Sequence, residues 1–463
     1  MTDRPDSGDT PLKRVMGPKL LLLFIVGDIL GTGVYALTGQ VAGEVGGAAW
    51  APFLAAFFIA LLTAFSYLEL VTKYPRAAGA ALYVHKAFGL HFLTFLVCFT
   101  VMCSGLTSAS TASQAFAANL FAAFHVEANP LWVTLGAVGF MLLVMLVNLR
   151  GVSESVKTNV VLTLVELGGL VLVILLGFYA MSRGGADFSR VVAFETPEDK
   201  SVFLAITSAT ALAFYAMVGF EDSVNMAEET HDPHRIFPKV LLTGLGFTAA
   251  IYVLVSICAV ALIPVGELAS SSTPLVLVVK RAAPGLPTET IMPIISMFAV
   301  ANSALINMMM ASRLLYGMSR QGVLPGFLSH VHERTRTPWS AIVFTTVLAI
   351  GLIVLVTAAS DSEAIRALGG TTALLLLAVF AFVNVAVLVL RRDRVEHAHF
   401  RTSAPVAALG ALVCLFMVTP FTGRDTIQYE VAGWLLVLGV LMWGLNLLVH
   451  RKAPAHLDPE RLR

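Results

Sequence analysis

The sequence predicts an all-α polytopic membrane protein of about twelve transmembrane helices, arranged as a 5+5 inverted repeat followed by two further helices. Three observations carry this reading. Apolar runs close to the length that crosses a bilayer recur along the 463 residues. The chain is 57% hydrophobic and only 13% charged. Two of the runs, five spans apart, are interrupted by glycine at membrane depth. A spanning segment must pair its own backbone groups because lipid offers no partner, so a glycine break there makes sense where something else uses the freed N–H and C=O groups.

In chain order, the first span covers residues 20–37 and holds Gly31-Thr32-Gly33. The second, 48–71, ends near Glu69 and runs through Tyr74-Pro75 and Gly79 into an amphipathic stretch with Tyr83 and His85 that stops at Gly89. That stretch reads as a short helix on the inner interface. Spans three to five are 92–121, 131–149 and 160–181, and Glu166 is the only charged residue in the fifth. The sixth, 202–224, contains Gly219 and Glu221, and its helix is expected to end before Asp232-Pro233. Spans seven to ten are 240–265, 291–315, 341–356 and 368–390; a short run at 406–418 and a last one at 431–449 complete the set.

Spans one to five and six to ten form the halves, because an odd repeat length inverts the second copy. The expected organisation is a tail at 1–18, a first repeat at 19–181, a second at 201–391, helices eleven and twelve at 404–450, and a tail at 451–463. Positive residues are retained on the cytoplasmic side. With the N-terminus inside, all but Arg183, Arg190, Lys200, Lys280, Arg281, Arg366 and Arg424 of the 30 Lys and Arg residues fall on inner segments. Both termini are therefore expected in the cytoplasm, in a multi-pass protein of the cell membrane. Residues 1–10 have no apolar core for a cleaved signal, so the first span is expected to direct insertion.

Composition also excludes classes. A net charge of +1 leaves no nucleic-acid footprint. Cys98, Cys103, Cys258 and Cys414 all lie in apolar spans, where cysteine behaves as a small hydrophobe, and no disulfide framework is indicated. His231 and His234 make an H-x-x-H spacing in an inner loop without further ligands, so no metal and no cofactor are expected. No nucleophile and base pair up at depth, which argues against an enzyme.

The two breaks supply the candidate site. Each broken span makes half-helices whose ends carry about half a unit charge from unpaired N–H or C=O groups. N–H groups near Thr32 and Gly33, with the Thr32 hydroxyl, suit a carboxylate; carbonyls at Ile29, Tyr215 and Val218 suit an ammonium. A zwitterion suits both poles, and the expected substrate is a small amino acid or amine. Gly31 and Gly33 could serve close helix packing alone, but their pairing with Gly219 favours a binding site. Asp28, Glu166 and Glu221 are acids at membrane depth, which need partners, water or a proton, and are the candidates for proton coupling. Glu221 is also placed to stabilise the break by accepting backbone N–H bonds. Ser104, Thr107 and Ser108 in span three, and Asn302, Ser303 and Asn307 in span eight, are either bundle glue or pathway lining.

Four ordered motifs carry a resemblance. They are Gly27-Asp-Ile-Leu-Gly31-Thr-Gly33, Tyr67-Leu-Glu69 through Tyr74-Pro75 to Gly79, Gly219-Phe-Glu221-Asp with Asn225-Met-Ala-Glu228-Glu229, and Ser312-Arg313-Leu-Leu-Tyr316-Gly-Met318 with Gly322, Pro325 and Arg336-Thr-Pro338. Together they resemble amino acid permeases of the amino acid, polyamine and organocation superfamily. The resemblance implies two inverted five-helix repeats plus two helices, and alternating access. It places the substrate carboxylate at Thr32 and Gly33 and its amine at the carbonyls of Ile29, Tyr215 and Val218. It further implies an aromatic gate at Tyr215 or Phe220. Proton-coupled relatives often carry a lysine in span five where this chain has Glu166. The implied function is amino acid transport by proton symport; exchange of amino acids or polyamines is the alternative, and a membrane substrate sensor the reading from another class. The implied partners are the substrate, H+ and membrane lipid.

Overall fold

The computed structural model describes residues 12–31, 33–126, 129–196, 200–271, 273–359 and 362–449, and helix dominates throughout. The only pairing of strand type described is in two isolated bridges, Met16 with Thr230 and Gly46 with Phe194. Among the described residues ten segments are long and apolar enough to cross a membrane, and two shorter apolar helices, Trp339–Leu355 and Ala404–Val418, stand where the ninth and eleventh spans are expected. The tails at 1–11 and 450–463, and Thr32, lie outside the described residues.

The first span is two helices, α1 (Pro18–Leu30) and α2 (Gly33–Val45). The second is α3 (Trp50–Lys73), followed by the short α4 (Gly79–Phe88). Spans three to five are α5 (His91–Ala123), α6 (Pro130–Arg150) and α7 (Val152–Ser182). A single turn, α8 (Phe188–Val191), precedes the sixth span, which is α9 (Val202–Met217), an interruption, and a 3-10 stretch over Asp222–Glu229. Then come α10 (Pro233–Leu262), the short α11 (Val265–Ser270) and α12 (Pro274–Ala282), and α13 (Thr288–Arg320). The last four are α14 (Trp339–Ala359), α15 (Ser362–Leu390), α16 (Ala404–Val418) and α17 (Thr426–Val449).

Helix starts follow local chemistry. Pro18, Pro130, Pro233 and Pro274 occupy the first turn of α1, α6, α10 and α12, where a missing N–H costs nothing. Asn129 caps α6 by accepting from the Trp132 N–H at 3.0 Å. Two boundaries depart from the apolar pattern. The fifth span begins at Val152 and the seventh at Pro233, both well before their apolar runs, because helical pairing extends into interfacial turns that hydropathy does not register. The helices α11 and α12 also go beyond the expected set; they are too short and mixed in composition to stand out from a loop.

The core is built from α1, α3, α9, α10 and α13, with Phe24, Phe53, Phe214, Tyr252 and Met309 fully buried. By contrast α6 and α17 turn Leu143, Leu146, Trp434 and Leu441 outward. An outer belt of this kind would be intolerable in water and suits a protein solvated by lipid.

The short α4 lies outside the spans yet is largely buried, and it carries a histidine. His85 Nδ1 is 3.0 Å from Thr94 Oγ1, while Nε2 has no hydrogen-bond partner among the described residues. Burial, reinforced by His91 and Lys86 nearby, pushes the imidazole from 6.5 down to about 4. The unfolded chain therefore binds a proton that the native state refuses, so stability should fall as pH drops from 6.5 to 4, by roughly 3 kcal/mol. Thermal unfolding in detergent across that range checks it: His85→Gln should lose less stability than the parent, and an equal loss would remove His85 as the cause.

Candidate functional site

At the first break, α1 ends at Leu30 and Gly31 takes φ 28°, ψ −164° before α2 resumes at Gly33. At the second, α9 ends at Met217, Val218 is extended at φ −67°, ψ 144°, and Gly219 sits at φ 125°, where a side chain would be strained. Glu221 Oε2 accepts the Gly219 N–H at 2.9 Å, so a carboxylate satisfies the donor that the interruption frees. The two breaks touch. A Cβ on Gly33 would come within 2.8 Å of Ala216 Cα, and one on Gly219 within 3.0 Å of the Asp28 carbonyl.

A cavity with about 630 Å³ of empty space, its mouth included, lies between them. From span one it is lined by Asp28, Ile29, Gly31 and Gly33, and from span six by Tyr215, Ala216, Val218, Gly219, Glu221 and Asp222. The facing wall is Val101, Ser104, Gly105 and Ser108 of α5, Ser303 and Asn307 of α13, and Thr372 and Leu376 of α15. A smaller adjoining cavity shares Val101, Gly105, Asp222 and Asn307 and continues past Asn225 to Leu314.

Of the residues singled out in the sequence, Asp28, Ile29, Gly31, Gly33, Tyr215, Val218, Gly219 and Glu221 converge on this cavity. Thr32 lies outside the described residues. Phe220 does not line it. Its ring is fully buried behind the break, 5.5 Å from Phe380 and 6.0 Å from Tyr67 in an aromatic cluster, where it braces span six. The carbonyls are less bare than the sequence suggests. Tyr252, buried on α10, donates its hydroxyl to the carbonyls of Ile29 and Leu30, and Val218 N–H returns to the Tyr215 carbonyl at 3.3 Å. Each of these oxygens keeps one lone pair for a ligand.

Glu166 stands behind α1, away from the cavity. It is fully buried; Oε2 accepts from Asn302 Nδ2 at 3.4 Å and Oε1 has no hydrogen-bond partner among the described residues. The same Asn302 amide donates to the Gly27 carbonyl at 3.1 Å, which joins Glu166 to the residue preceding Asp28. Asn159 and Thr163 complete this knot, at 2.8 and 3.0 Å from Asn302. Span eight thus divides its polar residues: Asn302 is glue between helices, while Ser303 and Asn307 face the cavity opposite Ser104 and Ser108.

Sequence reasoning did not single out Asp222, Tyr252, Thr372 or Leu376. Asp222 could have been found, since it is an acid inside the interrupted stretch. The others come from spans seven and ten, whose facing no single sequence reveals.

A family model described as "Amino acid permease" matches residues 18–443. The chain belongs to the amino acid permease family. Among curated proteins, this permease is 27% identical to the branched-chain amino acid permease BcaP of Bacillus subtilis, over 96% of each chain. It is 26% identical to a methylthioribose transporter of the same organism, over 94% of this chain and 93% of the relative. A chloroplastic cationic amino acid transporter of Arabidopsis thaliana is 29% identical over 71% of this chain and 59% of its own length. Family, relatives and apolar helices together make the permease an integral multi-pass membrane protein that moves amino acids across a membrane, a transporter and not an enzyme.

Proposed function

We propose that this permease is a proton symporter that carries an α-amino acid across the cytoplasmic membrane by alternating access, with both termini in the cytoplasm. The observation that carries the reading is the meeting of two interrupted helices at one cavity. The C-terminal end of α1 and that of α9 present carbonyls there, and the N-terminal end of α2 presents N–H groups. These are the negative and positive ends of helix dipoles, so an ammonium belongs at Ile29, Tyr215 and Val218 and a carboxylate at Thr32 and Gly33. Tyr215 lines the cavity and is the aromatic candidate to close over the bound solute. The two inverted five-helix halves, 19–181 and 201–391, would rock about this fixed site. The names of the relatives span branched-chain amino acids, methylthioribose and cationic amino acids, so they do not by themselves choose a side chain.

Glu166 is the proposed proton carrier. A buried carboxyl with one oxygen lacking a partner is tolerated most readily with a proton on it, and Asn302 ties it to the chain segment that forms the site. One proton moving down 100 mV supplies about 2.3 kcal/mol, roughly a fifty-fold accumulation of a neutral solute. In proteoliposomes Glu166→Gln should abolish accumulation driven by a pH gradient while exchange of internal for external substrate continues. Unchanged proton dependence in that variant would reject the assignment, and exchange without any response to pH in the parent would replace symport by antiport.

A further inference from the structure

The cavity is acidic beyond what a simple zwitterion needs. Asp28, Glu221 and Asp222 all line it, and among the described lining residues there is no Lys, Arg or His. Glu221 is committed to the Gly219 N–H at 2.9 Å. Asp28 is not so engaged: it is only 8% exposed, and its Oδ2 has no hydrogen-bond partner among the described residues. Asp222 lines both the main cavity and the adjoining one, where the buried Asn225 Oδ1 also has no such partner. Two unpartnered buried acceptors and an acid at the junction form a site waiting for donors. A buried carboxylate without a counter-charge is costly, and the single α-ammonium of a neutral amino acid is already held at the carbonyls of the breaks.

Resting on the proposed amino acid transport, we infer that the substrate of this permease carries a second positive charge, a side-chain ammonium or guanidinium held by Asp28 and Asp222. The wall chemistry fits such a side chain. Val101 and Leu376 supply apolar surface for a methylene stem, while Ser104, Ser108 and Asn307 offer hydrogen-bonding partners to the remaining N–H groups of the head. A branched apolar side chain would meet the same wall and leave the Asp28 carboxyl unpaired. A site built to bond a polar group discriminates strongly against an analogue that lacks it.

The test uses the purified full chain in proteoliposomes, with labelled L-lysine and L-leucine as probes and cadaverine as the diamine lacking a carboxylate. The expected result is a kcat/KM for lysine at least tenfold above that for leucine, or about 1.4 kcal/mol. Asp28→Asn and Asp222→Asn should each lower that ratio at least tenfold, and Asp222→Glu should retain it. Cadaverine should compete with labelled lysine less well than unlabelled lysine does. Leucine carried as well as lysine would overturn the inference, as would a ratio untouched in both Asn variants. Stronger competition by cadaverine would overturn the amino acid half of it. If the Asn variants do not fold, the ratio measured in the parent decides alone. If no amino acid of either kind moves, it is the transport reading that has failed and not the choice of side chain.

Discussion

Gly33→Leu is expected to abolish transport, with substrate flux falling at least a hundredfold and ligand-induced thermal stabilisation disappearing, while the protein still inserts and can be purified. The cause is distance. A Cβ at Gly33 would lie 2.8 Å from Ala216 Cα and 2.9 Å from Ala216 Cβ, and backbone cannot step aside as a side chain can. The start of α2 would be driven off α9 and the N–H groups offered at the first break would move out of register with the carbonyls of the second. A misplacement of about 1 Å in such a constellation is worth on the order of a hundredfold. Insertion is spared because the substitution adds apolar bulk to an apolar span. Gly139 on α6 is the matched control. A Cβ added there would meet no heavy atom within 4 Å, so Gly139→Ala should leave flux at the parental level and gain up to ~1 kcal/mol of helix stability. Retained substrate affinity in Gly33→Leu would count against the site.

How far this architecture can be read from residues alone differs between its two levels. The spans are legible because lipid imposes one requirement on all of them. Both interruptions are legible because glycine weakens a helix in the one environment where every backbone group must be paired. Facing is a different matter. Leu376 and Leu375 are adjacent in the same apolar run, yet only Leu376 lines the cavity. Phe220 neighbours Gly219 in sequence but turns away from the cavity into the cluster with Tyr67 and Phe380, because the positive φ at Gly219 redirects the chain just before it. Tyr252 is invisible for a related reason: its function is to hold two carbonyls in a helix remote in sequence, and nothing about an isolated tyrosine in an apolar span announces that. The acids are the intermediate case. Their depth is readable and their roles diverge only in three dimensions, where Glu221 accepts a backbone N–H, Asp28 faces the cavity and Glu166 lies behind α1.

Arg313→Ala is expected to be the most destabilising single change at the far end of the broken sixth span. Arg313 on α13 and Glu229 at the end of the 3-10 stretch are both 0% exposed, with Nε to Oε2 at 3.3 Å and Nη2 to Oε1 at 3.4 Å. Removing one member of a buried pair leaves the other charged and unsolvated, at a cost of about 3–5 kcal/mol. The carbonyl of Glu229 also accepts from the N–H groups of Val15 and Met16, each at 2.9 Å, and His231 N–H returns to the Met16 carbonyl. Losing Arg313 therefore loosens the point at which the segment before α1, the end of span six and α13 are fastened together. The charge itself is not what stability requires. Replacing both partners by neutral side chains of similar volume, Arg313→Met with Glu229→Gln, should recover most of the loss, since no unpaired charge then remains buried. A double-mutant cycle on thermal or denaturant unfolding in detergent measures the coupling directly. A loss below about 1 kcal/mol in Arg313→Ala, the level of an exposed pair, would show that water reaches the two side chains and that the fastening lies elsewhere.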